Sequence, residues 1–350
     1  MTKLLVAASG TGGHLFPALA VVQQLKDYQI EWLGVPDRLE QTLVPDYYPL
    51  HTISVAGFQK GFSFNSLAVV QRLIGSVFQV RQLIKQLKID VVLTTGGYIA
   101  APAIIAAKWQ KIPVLLHESN ALPGKVTRWF SPWCTTCALG FQDAAQHLPR
   151  AHNTWVGTPV RENFLRPQAL DLPIPEDAPL IVVVGGSQGA VAVNEMVRYC
   201  APAWFEEGIY LVHLTGDRDP QAQSLQHPQY FPMPFYNQMA GLLQRADLAI
   251  SRAGAGTLTE LAISHTPAIL IPYPYAAEDH QTYNAKVFAD AGAAIVEHQE
   301  SLDTQILKAK VLDLLRSQVT LNQMAQQAAS LAVVDSAERL ADLVRELVEE

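Results

Sequence analysis

One pattern, an apolar strand running into clustered glycines and then a helix, occurs twice and constrains the fold more than any other feature. LLVAASGTGGHLFPALAVV opens at Leu4, and LIVVVGGSQGAVAVNEMV opens at Leu180. Further short apolar runs lie at 30–34, 51–55, 90–95, 113–117 and 135–139, then at 210–214, 248–251, 268–271 and 293–296. Helix-period segments such as 66–88, 190–204 and 255–264 alternate with them. Continuous apolar strands with helical crossovers read as parallel sheets covered on both faces. Between the two starts lies GTPVRENFLRPQALDLPIPEDAP, residues 157–179, whose five prolines disfavour regular structure. The expectation is an α/β chain of two doubly wound parallel-sheet domains facing a central cleft. The first is residues 1–160 plus an amphipathic C-terminal helix at about 336–350; the second is residues 161–335.

Composition supports two cores. The 350 residues are 49% hydrophobic and 16% charged, which excludes a disordered chain. Cys134, Cys137 and Cys200 give no disulfide framework, so a reducing compartment is expected. No stretch approaches the ~20 apolar residues of a membrane span, so the chain is expected to be soluble or peripheral. The net charge of −7 is uneven: residues 1–160 carry +5 and residues 161–350 carry −12. Residues 50–89 contain no acid but include Lys60, Arg72, Arg81, Lys85 and Lys88, which suggests an anionic partner for that half.

SGTGGH, residues 9–14, follows a strand and opens a helix. Glycines there let backbone approach an oxyanion, and the helix N-terminus supplies N–H groups. The dinucleotide fingerprint fails, because Leu15 stands where the third glycine belongs and no acid ends the second strand. A tight strand–helix turn is the rival reading. In the second half, Ser187 of GGSQGA suits a phosphate oxygen. ISRAGAGTLTELA, residues 250–262, places Thr257, Thr259 and Glu260 in the first turns of a helix. A carboxylate would repel a phosphate, so Glu260 suits a ribose diol, unless it is an ordinary first-turn acid. His280, Gln281 and Asn284 suit sugar hydroxyls or simply make a polar surface.

Other patterns point elsewhere and are weaker. Cys134, Cys137, His147 and His152 mimic a zinc spacing, but the cysteines fall in a predicted strand and read better as buried small hydrophobes. Asp217-Arg218-Asp219 reads as a solvated turn running into Pro220. A hydrolase elbow of G-x-S-x-G type is missing, and the net charge disfavours nucleic-acid binding.

In order and spacing, GTGGHLFPALAV, GGY, PVLLHESNALPGK, GTPVR, GGSQGAVAVNE, SRAGAGTLTEL and HQTYNA resemble the bacterial peptidoglycan N-acetylglucosaminyltransferases, the MurG family, of GT-B type. The resemblance spans nearly the whole chain. It implies inverting transfer of N-acetylglucosamine from UDP-N-acetylglucosamine to the C4 hydroxyl of undecaprenyl-diphospho-N-acetylmuramoyl-pentapeptide, in cell-wall synthesis. It also implies a peripheral enzyme at the cytoplasmic face of the inner membrane, alongside other cell-wall synthesis proteins, with no tightly bound metal.

Carried over by position, the donor site includes Thr11, Gly12, Gly13, Asn120, Arg161, Ser187, Ala255, Gly256, Thr257, Leu258, Thr259, Glu260 and Gln281, with uracil near Tyr236. Glu260 falls on the ribose and Gln281 on the sugar. The chain departs from the family's usual HEQN and GNPVR at Ser119 and Thr158, and Tyr236 replaces a commonly aliphatic residue. His14, the titratable side chain of the first loop, is the candidate base. The rival roles for it are orienting the acceptor diphosphate and capping the helix. The basic 50–89 segment, with Phe58, Phe62 and Phe64 near Lys60, is expected to dock on anionic lipid; the rival reading for residues 66–88 is a core helix with a solvated basic face. Other readings are a GT-B transferase with a different acceptor and a non-catalytic sugar-nucleotide-binding or scaffold protein.

Overall fold

The computed structural model describes residues 1–54, 65–186 and 190–349, with side chains left out at 65–70. The chain divides into two compact units, Met1–Arg161 with Val333–Glu350, and Glu162–Ala332.

The first unit is a parallel sheet of seven strands: β1 (Lys3–Ala7), β2 (Gln29–Gly34), β3 (Leu50–Thr52), β4 (Val91–Thr94), β5 (Val114–Glu118), β6 (Thr136–Leu139) and β7 (Asn153–Trp155). Their order is β3-β2-β1-β4-β5-β6-β7. The crossovers carry α1 (Gly12–Val22), α2 (Glu40–Leu43), α3 (Asn65–Leu87), α4 (Ala100–Trp109) and α5 (Lys125–Phe130). Alternation along β1 splits the core. Leu5 and Ala7 pack with Val80, Ile84, Ala103 and Ile104 of α3 and α4. Leu4 and Val6 pack with Leu15, Ala18 and Val22 of α1 on the other face.

The second unit repeats the plan with six parallel strands: β8 (Leu180–Val184), β9 (Tyr210–Leu214), β10 (Tyr230–Met233), β11 (Leu248–Ser251), β12 (Ala268–Leu270) and β13 (Ala294–Val296), in the order β10-β9-β8-β11-β12-β13. Its helices are α6 (Val191–Glu206), α7 (Met239–Arg245), α8 (Ala255–Ile263), α9 (His280–Asp290), α10 (Thr304–Leu315) and α11 (Gln318–Ser330). Ile181 and Val183 bury against Val193, Val197 and Trp204 of α6. The last helix, α12 (Ser336–Glu349), belongs to the first unit. It packs on α1, β4 and β5, and Leu340, Ala341, Val344 and Leu347 close the core around Leu4 and Val6.

Among the described residues the sequence reading missed two strands, β7 and β10. Both are edge strands. β7 has three residues, and Pro232 sits inside β10, where an edge tolerates the missing N–H. The sequence places both cysteines of the C-x-x-C in one strand, but β6 begins at Thr136, so Cys134 precedes it while Cys137 lies within. Both are buried, and burial pushes the Cys134 thiol up to about 12 and that of Cys137 higher still.

Candidate active site

In a doubly wound sheet, a crevice opens at the carboxyl ends of the strands where their order reverses. In the first unit that point lies between β1 and β4. The loop leaving β1 leads into α1 and His14, and the loop leaving β4 carries Thr95, Gly96 and Gly97. The two loops meet at the imidazole. His14 Nδ1 lies 2.7 Å from the Thr95 carbonyl oxygen. A carbonyl only accepts, so Nδ1 donates and the neutral ring presents its lone pair at Nε2. Gly96 and Gly97 adopt φ of +88° and +74° and turn the backbone against the ring, where a Cβ on Gly97 would lie 3.6 Å from Nε2.

The N-terminus of α1 is open. Thr11 makes no side-chain cap, the first turn has no acid, and the first N–H groups to reach the Thr11 carbonyl are those of His14 and Leu15. The N–H groups of Gly12 and Gly13 thus stand outside the helical ladder. A side chain on Gly12 would displace the Phe16 ring, which its Cβ would meet at 2.7 Å. On that ring lies the Arg161 guanidinium, 4.7 Å from the centroid.

Glu118 organises the neighbouring loop. Its carboxylate accepts from the backbone N–H and the side-chain amide of Asn120, both at 3.0 Å, from the Gly124 N–H at 3.1 Å and from the Thr127 hydroxyl at 2.6 Å. Asn120 is therefore held by its own loop. His117 is buried, which lowers its pKa and keeps it neutral; its Nε2 donates to the Gly157 carbonyl at 2.9 Å. This bond ties the end of β5 to the segment that delivers Arg161. Ser119 and Thr158, the two departures from the family pattern, meet at Gly140. A Cβ on Gly140 would collide with the Thr158 hydroxyl and lie 2.9 Å from the Ser119 carbonyl.

In the second unit the strand order reverses between β8 and β11. The loop leaving β8 starts with Gly185 and Gly186, the latter at φ +84°. Ser187 lies outside the described residues. The loop leaving β11 runs into α8, where Gly254 makes no side-chain cap and Leu258 N is the first to reach its carbonyl, at 3.0 Å. The N–H groups of Ala255, Gly256 and Thr257 are thus open to an anion. Thr257, Thr259 and Glu260 follow on the half-buried surface of the first turns. The Thr259 hydroxyl donates back to Ala255 O at 3.0 Å.

Two side chains join the loop after β11 to that after β12. Arg252 donates to the carbonyls of Ile271 and Pro272 at 3.0 and 3.1 Å and to Gln299 Oε1 at 2.6 Å. Gln281 Oε1 accepts from the N–H groups of Ala253 and Tyr273 at 3.2 and 2.9 Å. The amide N–H groups of Gln281 take no part in this link. The Tyr236 hydroxyl is turned into the fold, where burial and the neighbouring Asp171 carboxylate raise its pKa.

The reading of Asp217-Arg218-Asp219 holds in part: Asp217 and Arg218 are exposed in a turn, but Asp219 is 8% exposed and pairs with Arg198 at 2.6 Å. Asn194 donates to Asp219 at 2.8 Å and to the Thr215 carbonyl at 2.9 Å, and its Oδ1 faces His213 Nε2 at 3.0 Å. The Asp-Arg-Asp loop is therefore bolted to the start of α6, the helix that follows GGSQGA. Among the described residues no three His, Cys, Asp or Glu side chains converge as metal ligands.

The acid-free segment forms a second feature of the first unit. Leu73, Ile74, Val77 and Phe78 of α3 with Ile105 and Trp109 of α4 line an apolar groove of about 310 Å³. Ile74, Phe78 and Trp109 are each more than half exposed, and the Arg81 guanidinium lies 4.8 Å from the Trp109 ring centroid. Phe58, Lys60, Phe62 and Phe64 lie outside the described residues. No described helix is long and apolar enough to cross a membrane.

Sequence reasoning passed over Glu40, Glu118 and Arg252. The last two stand inside quoted motifs, but as partners of backbone rather than of ligand. Glu40 has no motif at all.

Residues 4–139 match the glycosyltransferase family 28 N-terminal domain, and residues 180–340 match the family 28 C-terminal domain. The chain is 69% identical over 343 residues to a UDP-N-acetylglucosamine--N-acetylmuramyl-(pentapeptide) pyrophosphoryl-undecaprenol N-acetylglucosamine transferase of Gloeothece citriformis, covering 98% of this chain and 95% of the relative. It is 63% identical to the protein of the same name from Nostoc punctiforme, over 99% of this chain and 98% of that one. Among solved structures, Acinetobacter baumannii MurG aligns with a TM-score of 0.82 at 31% identity, covering 99% of this chain and 100% of that one. With both domain models matched in order, and identity of this degree sustained from end to end, the chain belongs to glycosyltransferase family 28 and, within it, to the MurG family of GT-B enzymes.

Proposed function

We propose that this chain transfers N-acetylglucosamine from UDP-N-acetylglucosamine to the C4 hydroxyl of the lipid-linked muramoyl-pentapeptide, with inversion, in peptidoglycan synthesis. The single observation that carries the chemistry is the His14 ring, held through Nδ1 with Nε2 free to accept a proton. As the acceptor oxygen bonds to the anomeric carbon, Nε2 takes the hydroxyl proton. The anomeric bond to the β-phosphate oxygen breaks, and UDP leaves as an anion. A diphosphate leaving group needs stabilised charge rather than a proton donor.

Within the second unit, the open N-terminus of α8 at Ala255, Gly256 and Thr257 supports diphosphate binding, with Leu258 and Thr259 completing the turn. Ser187, outside the described residues, is assigned to the same diphosphate by the resemblance alone. Glu260 takes the ribose, Gln281 gives its amide N–H groups to the sugar, and the backbone near Tyr236 receives the uracil. Within the first unit, Thr11, Gly12, Gly13, Asn120 and Arg161 serve the transferred sugar and the diphosphates, supported by the open N-terminus of α1 and by the stacking of Arg161 on Phe16. No resident metal is required in this reading.

The α3–α4 groove and its arginines dock the enzyme on anionic lipid at the cytoplasmic face of the inner membrane. Exposed Phe78 and Trp109 beside Arg81, on an acid-free segment, support this assignment. The test is UDP release from UDP-N-acetylglucosamine with a short-chain lipid-linked muramoyl acceptor, with and without EDTA. Release that depends on the acceptor and survives EDTA is the expected result. Release without the acceptor, or none with it, overturns the reading.

A further inference from the structure

Glu40 is fully buried at the start of α2, on the connection that leaves β2. Its carboxylate grips the neighbouring loop. Oε1 accepts from the Ser9 hydroxyl at 2.5 Å and from the Val35 N–H at 2.7 Å, and Oε2 accepts from the Gly10 N–H at 3.2 Å. Space for the carboxylate is reserved at Gly34, whose Cβ would lie 2.8 Å from Glu40 Cγ. A buried carboxylate is costly unless its lone pairs are satisfied, and here a hydroxyl and two backbone N–H groups satisfy it. Two of those three donors belong to SGTGGH, just ahead of the α1 N-terminus.

We infer that Glu40 is a positioning residue for the transfer reaction. By holding Ser9 and Gly10 it fixes where α1 begins. That in turn sets the His14 ring against the Thr95 carbonyl. Glu40 touches no substrate. Its effect runs through the loop, and the inference rests on the role given above to His14. The alternative is a carboxylate that merely stabilises the first unit. That role would alter the folded fraction without separating kcat from KM.

The test uses the full chain and compares wild type, Glu40→Gln, Ser9→Ala, His14→Ala and the Glu40→Gln/His14→Ala double variant. Readouts are kcat, KM for UDP-N-acetylglucosamine and thermal melting. A glutamine keeps the volume, but its NH2 cannot accept, so one N–H or hydroxyl of the loop loses its partner. Glu40→Gln is expected to lower kcat about 10- to 100-fold, as a small misplacement of a reacting group does, with donor KM unchanged within about threefold. Ser9→Ala is expected to lower kcat about threefold or more, and the double variant to be no slower than His14→Ala within about threefold. A folded Glu40→Gln enzyme with kcat within about threefold of wild type overturns the inference, as do losses that multiply in the double variant. If Glu40→Gln fails to fold, Ser9→Ala at wild-type kcat overturns it. Near wild-type kcat in His14→Ala alone strikes the base assignment, while Glu40 still stands or falls on the kcat of its own variant.

Discussion

The Nδ1 atom of His14 and the carbonyl oxygen of Thr95 are 2.7 Å apart, and this bond joins the first turn of α1 to the end of β4. It spans the point where the strand order of the first sheet reverses. A flexible side chain thereby becomes a fixed one with a defined tautomer. His14→Ala should lower kcat about 10²- to 10⁴-fold, the usual contribution of general base catalysis, with little change in donor KM. Steady-state kinetics at saturating acceptor check this, and a kcat within a few-fold of wild type would count against the base.

Glu260 stands in the second turn of α8, past the open N–H groups. A hydrogen bond from a ribose hydroxyl to a carboxylate is worth about 1.5–3 kcal/mol, so Glu260→Ala should raise donor KM roughly 10- to 100-fold. The 2′-deoxy analogue of UDP separates this from general disruption. Wild type should prefer UDP to the deoxy form, and the variant should bind both alike.

Acid should weaken the fold through His213. Burial, assisted by the charge of Arg198 and opposed by that of Asp219, holds its pKa down at about 3. The unfolded chain takes the proton near pH 6.5, whereas the folded chain refuses it until about pH 3. Stability from this residue is therefore full above pH 6.5 and declines as pH falls toward 3, by about 1.4 kcal/mol per unit. Urea unfolding at pH 5 should give a free energy about 2 kcal/mol below that at pH 7.5. His213→Gln should flatten the slope; an identical slope in that variant refutes the assignment.

Asp219 contributes at lower pH. Burial opposes its charge, but hydrogen bonds from Arg198, Asn194 and the Gln221 N–H outweigh it and hold the carboxyl below its ordinary range. Its contribution is present above the unfolded pKa near 3.9 and is lost as pH falls through the folded value. Removing one partner of a buried pair costs about 3–5 kcal/mol, so Asp219→Ala should lower the melting temperature by many degrees at pH 7.5. The Arg198→Met/Asp219→Ala double variant should recover part of the loss. Calorimetry of both variants decides it.

Phe78 and Trp109 should govern vesicle binding. Phe78→Ala/Trp109→Ala should weaken co-sedimentation with vesicles containing anionic lipid, and added salt should weaken it further in wild type, at about 1 kcal/mol per basic residue near the surface. Binding indifferent to anionic lipid, to salt and to both substitutions would dismiss the docking face.

The sheets were legible because buried parallel strands are continuous apolar runs, and Leu180–Val184 and Leu248–Ser251 match the structure residue for residue. The loops that end β1, β8 and β11 were legible as clusters of glycine and small residues, since close backbone approach leaves that mark, whereas the loop that ends β4 entered only through the GGY of the resemblance. What was hidden is long-range pairing. Nothing near Asp219 in the chain announces Arg198 on α6, and nothing near Glu40 announces Ser9, 31 positions away. Gln281 was read as a ligand residue, but its oxygen already holds two loops together, a constraint that periodicity does not encode.

The return of α12 to the first unit has a consequence for the order of folding. Leu340, Ala341, Val344 and Leu347 complete the core around β1, yet they leave the ribosome after the whole of residues 162–332. The half that is translated first is thus finished last. The second unit can close its own core while the first still shows Leu4, Val6 and Ala18 uncovered, and such exposed apolar surface is where a nascent chain is prone to aggregate.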